Sequence, residues 1–271
     1  MSTIEIKAPA KLTLSLRIVG TRADGYHLID AEMVTLDWHD TVTIDPSSTG
    51  LSADGPYARG LPLGRSNLVS KALRHAGRTA AVHIHKTLPL GGGLGGGSAD
   101  AAAVLRWAGY QDVAGAAHLG ADVAFCLVGG RARVRGIGEL VQPLPFEPID
   151  VTLVVPPMSV SSERVYVAWD RLGDPHSDGH NDLEPAAVAA FPELAVWRDR
   201  IRESAGLAPT LAGSGATWFL RGHHDLDSAL PDAVVVRTTA VPSTFNYPWT
   251  RNDRPHVADG RNRDLGGHLP R

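Results

Sequence analysis

The chain has 271 residues, of which 43% are hydrophobic and 20% charged, and its formal net charge is -3. This composition is typical of a globular protein large enough to bury a substantial core. It has no basic excess that would indicate a nucleic-acid or membrane-surface partner, and no apolar run approaches the ~20 residues of a membrane span. The single cysteine, Cys126, excludes an intramolecular disulfide and lies in an apolar run, so we expect a buried structural thiol in a cytoplasmic protein.

In the first half of the chain, alternating apolar and polar residues predict strands. The predicted strands cover residues 4–6, 12–19, 31–36, 41–44 and 81–86. Residues 46–63 are rich in Ser, Gly and Pro and predict a loop. Two helices are predicted, an amphipathic one over residues 67–75 and an Ala/Leu-rich one over residues 99–107.

The second half predicts further strands and helices. Residues 123–128 and 131–134 are apolar or alternating, residues 151–155, 217–220 and 233–239 predict strands, and residues 161–172 and 185–205 predict helices. This order favours an α+β fold in which helices pack on largely antiparallel sheets. A boundary near residues 146–150 divides the chain into domains 1–148 and 149–242, and we predict that residues 243–271 form a disordered tail.

The strongest local signal is a loop with six glycines in seven positions. Glycine loses much conformational entropy on ordering and buries nothing, so such a run indicates close approach of the backbone to a ligand. A helix follows directly, and backbone amides at a helix N-terminus suit a phosphate; Ser98 could cap this helix or contact the phosphate. The predicted nucleotide loop consists of Pro89, Leu90, Gly91, Gly92, Gly93, Leu94, Gly95, Gly96, Gly97 and Ser98.

This loop matches neither of two common phosphate-binding motifs. In a P-loop a lysine separates the last glycine from the Ser or Thr residue, whereas here Ser98 follows Gly97 directly. Three glycines of the loop have the spacing of a dinucleotide-binding motif. That motif also needs an acidic residue at the end of a following strand to bind the ribose, and the sequence has none at such a position. A flexible linker is the remaining alternative, which the abrupt strand and helix on either side disfavour.

Several segments in the same order resemble the GHMP kinases, which include galactokinase, homoserine kinase and mevalonate kinase. They are APAKL at residues 8–12, the glycine loop, LGADV at residues 119–123 and AGSGAT at residues 212–217. Three features are similar to the branch that phosphorylates 4-diphosphocytidyl-2-C-methyl-D-erythritol: RADGYH at residues 22–27, the very high glycine content of the loop, and NDLE at residues 181–184. The resemblance extends over most of the predicted folded chain.

The resemblance implies a two-domain GHMP kinase fold, with an N-terminal ribosomal-protein-S5-like ATP domain and a C-terminal ferredoxin-like domain. It implies ATP and Mg²⁺ as cofactors. The partner would be a small molecule, cytidine-diphosphate methylerythritol, whose 2-hydroxyl would receive the γ-phosphoryl group of ATP. We expect a monomer or homodimer that binds neither nucleic acid nor a membrane.

The resemblance also implies two catalytic residues. Asp122 matches the position of the family's base, and a carboxylate near the nucleophile can accept its proton. Lys11 matches the catalytic lysine, and a lysine that opens an apolar strand needs a partner, for which Asp122 is suited. Taken alone, Asp122 could instead be a turn or helix-cap residue, and Lys11 a surface lysine at a strand end, but these are the weaker alternatives.

Further residues match ligand-binding positions of the family. Tyr26 and His27 match the residues that recognise cytosine, where an aromatic ring stacks and an imidazole forms hydrogen bonds; the preceding Asp-Gly also predicts a hairpin turn. Asn67 matches a position near the nucleotide or caps the helix that follows, and Lys86 would contact adenine or phosphate. The remaining predicted substrate contacts are Thr13, Gly213, Ser214 and Gly215.

The sequence departs from the family pattern at two places near the site. The family usually has asparagine where Thr13 stands and proline where Ala124 stands. We therefore weigh three hypotheses: the cytidine-diphosphate methylerythritol kinase, another GHMP small-molecule kinase, and a ligand-binding protein without catalysis. Retention of Lys11 and Asp122 disfavours the third, and Tyr26 with His27 favours the first over the second.

Overall fold

The computed structural model describes residues 3–243, which form an α+β fold. The ten strands of this range are β1 (Ile4–Thr21), β2 (His27–Asp45), β3 (Gly50–Asp54), β4 (Ala81–His85), β5 (Arg131–Gly136), β6 (Leu140–Pro143), β7 (Asp150–Val155), β8 (Thr210–Leu211), β9 (Trp218–Arg221) and β10 (Val234–Val241). Its seven helices are α1 (Leu68–His75), α2 (Gly96–Trp107), α3 (Val113–Ala116), α4 (Ala121–Val128), α5 (Ser162–Arg171), α6 (Leu183–Ala190) and α7 (Glu193–Ala205).

The strand pairings confirm the predicted α+β class. Among the pairings between these ten strands, only that of β3 with β4 is parallel. No helix within these residues is long and apolar enough to cross a membrane. The predicted tail, residues 243–271, lies outside the described residues except for Ser243.

The long hairpin of β1 and β2 forms the centre of the N-terminal half. The sequence predicts two short strands in place of each, because β-bulges and polar residues interrupt the alternation. One such shift in register lies between Pro9 and Lys11. Asp40, which lies between two predicted strands in the sequence, is buried inside β2 and accepts hydrogen bonds from the backbone amides of Thr87 and Leu88.

A second sheet has the order β10-β7-β9-β8 and forms the C-terminal half. β10 pairs with β7 along most of its length, and its last residues, Ala240 and Val241, pair with β2. The change from one sheet to the other at Asp150 agrees with the predicted boundary in position. Because β10 belongs to both sheets and one buried core spans both halves, the two-domain division remains a prediction.

Helices α2, α4, α6 and α7 differ from what the sequence patterns predict. Residues 185–205 form α6 and α7, because Pro192 cannot continue a helix and instead begins the next one. Residues 123–128 belong to α4, and all six are buried, so this part of the helix is apolar on every face. α2 begins at Gly96, three residues earlier than predicted, because glycines of the loop form its first turn.

Candidate active site

The glycine loop connects β4 to α2 and ends in a left-handed residue. Gly95 is the N-cap of α2 with φ 68°, a conformation that disfavours side chains. The free amides at the start of α2 therefore point into the loop, as an anion site requires. Ser98 lies within the first turn of the helix, so the prediction that it caps α2 is wrong.

Two other segments hold the loop in place. The backbone amide of Lys11 donates to the carbonyl of Leu94 at 2.9 Å. Thr217, which follows a second glycine turn at residues 213–215, donates through its hydroxyl to the carbonyl of Gly92 at 2.6 Å. A Cβ atom on Gly93 would lie only 2.5 Å from the carbonyl oxygen of Gly215, so the two glycine turns touch and leave no room for a side chain at this point.

The predicted catalytic pair is brought together beside the loop. Lys11 enters from β1 and Asp122 from the first turn of α4, with 3.2 Å between the ammonium and the carboxylate. The lysine side chain is only 7% exposed, whereas that of Asp122 is 32% exposed. The ammonium also donates to the hydroxyl of Thr13 at 3.2 Å. An exposed carboxylate beside a nearly buried ammonium can accept a proton while the ammonium neutralises developing charge.

The second glycine turn lies next to the lysine of this pair. A Cβ atom on Gly213 would lie 3.6 Å from the Thr13 hydroxyl and 3.7 Å from the Lys11 ammonium. The hydroxyls of Ser214 and Ser162 are 2.6 Å apart, which ties the turn to the first residue of α5. Of the predicted substrate contacts, Thr13 and Gly213 therefore lie beside the lysine, and Ser214 and Gly215 belong to the same turn as Gly213.

Tyr26 and His27 lie where β2 begins, next to α5. The His27 ring stacks on Tyr166 with 4.9 Å between centroids, and its Nε2 lies 2.7 Å from a carboxylate oxygen of Asp170. The edge of Trp169 completes this aromatic cluster. Tyr26 itself is 59% exposed and available to stack on a ligand.

Sequence reasoning missed Tyr166, which connects the aromatic cluster to the catalytic pair. Burial, and then the charge of Asp122, raise the pKa of the Tyr166 phenol to about 12, so it remains a neutral hydrogen-bonding group near the carboxylate. The helical pattern of α5 assigns this residue to a buried face. Nothing in the local sequence separates it from an ordinary core residue, because its neighbours at the site come from β2 and α4.

Two predicted nucleotide contacts have another role. The side chain of Lys86 is fully buried and contacts the carboxylates of Asp40 and Asp100, so the prediction that this side chain touches adenine or phosphate is corrected. Asn67 follows the alternative prediction: its side-chain oxygen accepts from the amide of Val69 at 2.8 Å and caps α1. Cys126 is buried as expected, and burial raises the pKa of its thiol to about 12.

A cavity of about 420 Å³ opens on the other side of the glycine loop. Its walls include Tyr57, Leu90 and Met158, which give it aromatic and apolar surface next to the proposed phosphate position. A larger groove of about 580 Å³ lies between α5 and α6, away from the glycine loop and the Lys11–Asp122 pair. Its position against the glycine loop therefore favours the smaller cavity as the nucleotide pocket.

Comparison with known proteins identifies the family. Residues 67–130 match the family model described as the GHMP kinases N terminal domain. A 4-diphosphocytidyl-2-C-methyl-D-erythritol kinase of Paracoccus denitrificans is 41% identical, over 78% of this chain and 84% of its own length. A protein of the same name from Pelotomaculum thermopropionicum is 36% identical and covered over 97% of its length.

Solved structures agree with these relatives. A crystal structure of 4-(cytidine 5'-diphospho)-2C-methyl-D-erythritol kinase matches 88% of this chain and 100% of its own, with a TM-score of 0.67 and 33% identity. The homoserine kinase of Cytophaga hutchinsonii matches with a TM-score of 0.60 at 18% identity, which supports the GHMP kinase fold alone. The chain belongs to the 4-diphosphocytidyl-2-C-methyl-D-erythritol kinase family within the GHMP kinases.

Proposed function

We propose that this protein transfers the γ-phosphoryl group of ATP to the 2-hydroxyl of 4-diphosphocytidyl-2-C-methyl-D-erythritol. The observation that carries the proposal is the 3.2 Å contact between Lys11 and Asp122, held between two glycine turns. Phosphoryl transfer depends mainly on positioning and charge neutralisation, and these groups supply both. The family relationship supplies the identity of the substrate.

ATP would bind across the glycine loop. Amides at the start of α2 would hold the phosphates, and the 420 Å³ cavity beside Leu90 would hold the base. Asp122 would orient the attacking hydroxyl and accept its proton, while Lys11 would neutralise charge on the transferred group. Thr13 fixes the lysine through its hydroxyl at 3.2 Å, so the departure from asparagine at this position keeps a hydrogen-bonding partner for the ammonium.

Mg²⁺ would enter the site with the nucleotide. Within residues 3–243, no group of three or more His, Cys, Asp or Glu side chains is arranged to hold a metal ion. Mg²⁺ is commonly bound by substrate phosphates and water with few protein ligands, and this donor set is compatible with that mode. When bound, the ion would screen the negative charge of the β- and γ-phosphates.

The cytosine ring would be recognised next to α5. Tyr26 offers an exposed ring for stacking, and the His27 imidazole is oriented by Asp170 at 2.7 Å. A base held there would place its diphosphate toward the second glycine turn at residues 213–215. A GHMP kinase with a different substrate would not require this aromatic site.

A product assay tests the proposal. The full chain would be incubated with ATP, Mg²⁺ and the cytidine substrate, and the phosphorylated product measured by mass spectrometry, with homoserine and mevalonate as alternative acceptors. We expect product only from the cytidine substrate. Turnover of another acceptor alone would contradict the substrate assignment, and binding of ATP and substrate without any product would support the non-catalytic alternative.

A further inference from the structure

A buried cluster of three charged side chains lies behind the glycine loop. Lys86, just after β4, contacts Asp40 of β2 and, at 2.8 Å, Asp100 of α2. All three side chains are almost completely inaccessible to solvent. The second oxygen of Asp40 accepts hydrogen bonds from two backbone amides, so this carboxylate is fully satisfied as an anion.

Asp100 differs from Asp40 in its hydrogen bonding. Its Oδ2 contacts the ammonium of Lys86, but its Oδ1 is buried and has no hydrogen-bond partner among residues 3–243. One ammonium thus faces two carboxylates, and a buried ionised carboxylate with an unsatisfied oxygen is costly. A proton on Asp100 would make the cluster neutral. Burial is the largest cause that raises the pKa of Asp100 to about 7, against the opposing effect of Lys86.

Among residues 3–243, the charges with the largest effect on Asp100 are those of Lys86 and Asp40. From α4 the facing group is the Cys126 thiol, which is neutral because burial raises its pKa to about 12. β1 contributes Lys11, whose ammonium is paired with Asp122 on the cleft side. α1 contributes apolar core residues such as Ala72.

The cluster touches the first residue of the helix that begins the phosphate site. A Cβ atom on Gly96 would lie 3.3 Å from the Lys86 ammonium and 3.4 Å from a carboxylate oxygen of Asp40. Gly96 and Asp100 are four residues apart, so they lie on the same face of α2. The net charge of the cluster therefore acts directly behind the amides that would hold the phosphates, in a region of low dielectric.

We propose that Asp100 is a positioning residue of the nucleotide site, and that ATP binds preferentially to the form in which its carboxyl group carries a proton. The proposal rests on the ATP site of the proposed function and does not depend on the identity of the phosphoryl acceptor. ATP brings several negative charges to the front of α2, and these oppose a net negative cluster behind it. By thermodynamic linkage, ATP binding takes up a proton wherever Asp100 is partly ionised in the free protein.

Calorimetry of ATP binding to the full chain, without the acceptor, tests the proposal. Affinity would be measured with Mg²⁺ between about pH 6 and pH 9, and proton uptake from titrations in two buffers of different ionisation enthalpy. A one-unit rise in the pKa of Asp100 on binding corresponds to an affinity about tenfold weaker at the alkaline end. The phosphate of ATP itself titrates near neutral pH, so the readout is the difference between variants.

The test variant is Asp100→Asn, which preserves shape and removes the titration. We expect it to bind ATP at every pH about as tightly as the wild type does at low pH, with less proton uptake. Asp37→Asn, an exposed position of the same strand as Asp40, is the matched control and should follow the wild type. An identical pH dependence in wild type and Asp100→Asn would overturn the proposal.

A measurement on the wild type keeps the proposal testable if Asp100→Asn does not fold. Carboxyl ¹³C shifts of labelled aspartate would be followed through a pH titration with and without ATP. One aspartate should titrate near neutral pH, far above the ordinary value of about 3.9, and its midpoint should rise when ATP binds. Absence of such a group, or a midpoint that ATP leaves unchanged, would contradict the proposal.

Discussion

Gly95 lies directly against the side chain of Lys11. A Cβ atom built on Gly95 would approach the lysine Cγ to 2.6 Å and its Cε to 3.3 Å. The stem of the lysine thus lies in a groove that exists only because this loop position lacks a side chain. In the proposed function the glycine loop would therefore have two roles, since it would form the phosphate site and would also fix the path of the Lys11 side chain.

Gly95→Ala should displace Lys11 and lower kcat by at least tenfold. Gly109→Ala is the matched control, because Gly109 has nearly the same φ, 72° against 68°, but nothing lies within 4 Å of its Cβ position. Both variants incur the left-handed strain of about 1–2 kcal/mol, and only the first meets the lysine. Steady-state kinetics of the two variants separate displacement of Lys11 from backbone strain. Equal losses of kcat would show that backbone strain alone is responsible.

Tyr26→Ala should raise the KM for the cytidine substrate and leave the KM for ATP nearly unchanged. Loss of one aromatic stacking partner costs about 1–3 kcal/mol, or roughly 5- to 150-fold in affinity. Val19→Ala, which removes an exposed apolar side chain from the same hairpin, serves as the control. A rise confined to the KM for ATP would show that Tyr26 does not bind the cytosine.

Asn181 holds the second glycine turn from behind. Its buried amide nitrogen donates to the carbonyls of Leu211 at 2.9 Å and Gly213 at 2.6 Å. Asn181→Asp would set a carboxylate oxygen against both carbonyls, each lost bond costing about 1–3 kcal/mol. We expect a Tm lower by about 5–15 °C and a larger rise in KM for the substrate than for ATP. A variant that melts with the wild type would contradict this role.

We expect the carboxylate of Asp182 to stabilise the fold at neutral pH and to lose this contribution in acid. Burial opposes its ionisation, but hydrogen bonds from Arg17, Ile18 and Ser177 lower its pKa below the ordinary 3.8. Because the folded pKa lies below the unfolded one, the stabilisation is present above the unfolded value and is lost as pH falls through the folded pKa. Asp182→Asn should therefore reduce the free energy of unfolding by about 1–3 kcal/mol at pH 7.

The difference between wild type and Asp182→Asn should shrink as the pH falls below about 4. Denaturant unfolding at several pH values measures it. Asp24→Asn removes a comparable contact to Arg22, at 2.6 Å, but both side chains are nearly half exposed, so its effect should stay below about 1 kcal/mol. A difference that is constant from neutral to acid pH would contradict the assigned ionisation.

Most strands and the glycine loop could be predicted from the sequence because their signals are local. Alternation marks the strands, and the glycine run ends abruptly at α2. The split between α6 and α7 also has a local signal, Pro192, although the helical pattern over residues 185–205 continues through it. The bulge at Lys11 depends on pairing between β1 and β2, which alternation alone does not specify.

The site was predictable only in part for the same reason. Lys11 and Asp122 match motif positions, and the structure places them 3.2 Å apart. The position of Lys86 just before the loop favours a ligand contact. In the structure its side chain is buried against Asp40 and Asp100, which lie 46 and 14 residues away in the sequence. Contacts of this kind depend on how β2, β4 and α2 pack together, which no local pattern reveals.

Single-turnover kinetics at saturating ATP and cytidine substrate test the central claim most directly. Asp122→Asn preserves shape but removes the proton acceptor, so phosphoryl transfer should slow by about 10²- to 10⁴-fold while ATP affinity changes little. Lys11→Ala should also slow it, and the double variant should lose less than the product of the two single losses because the residues act as a unit. Transfer by Asp122→Asn at the wild-type rate would remove the Lys11–Asp122 pair from the mechanism.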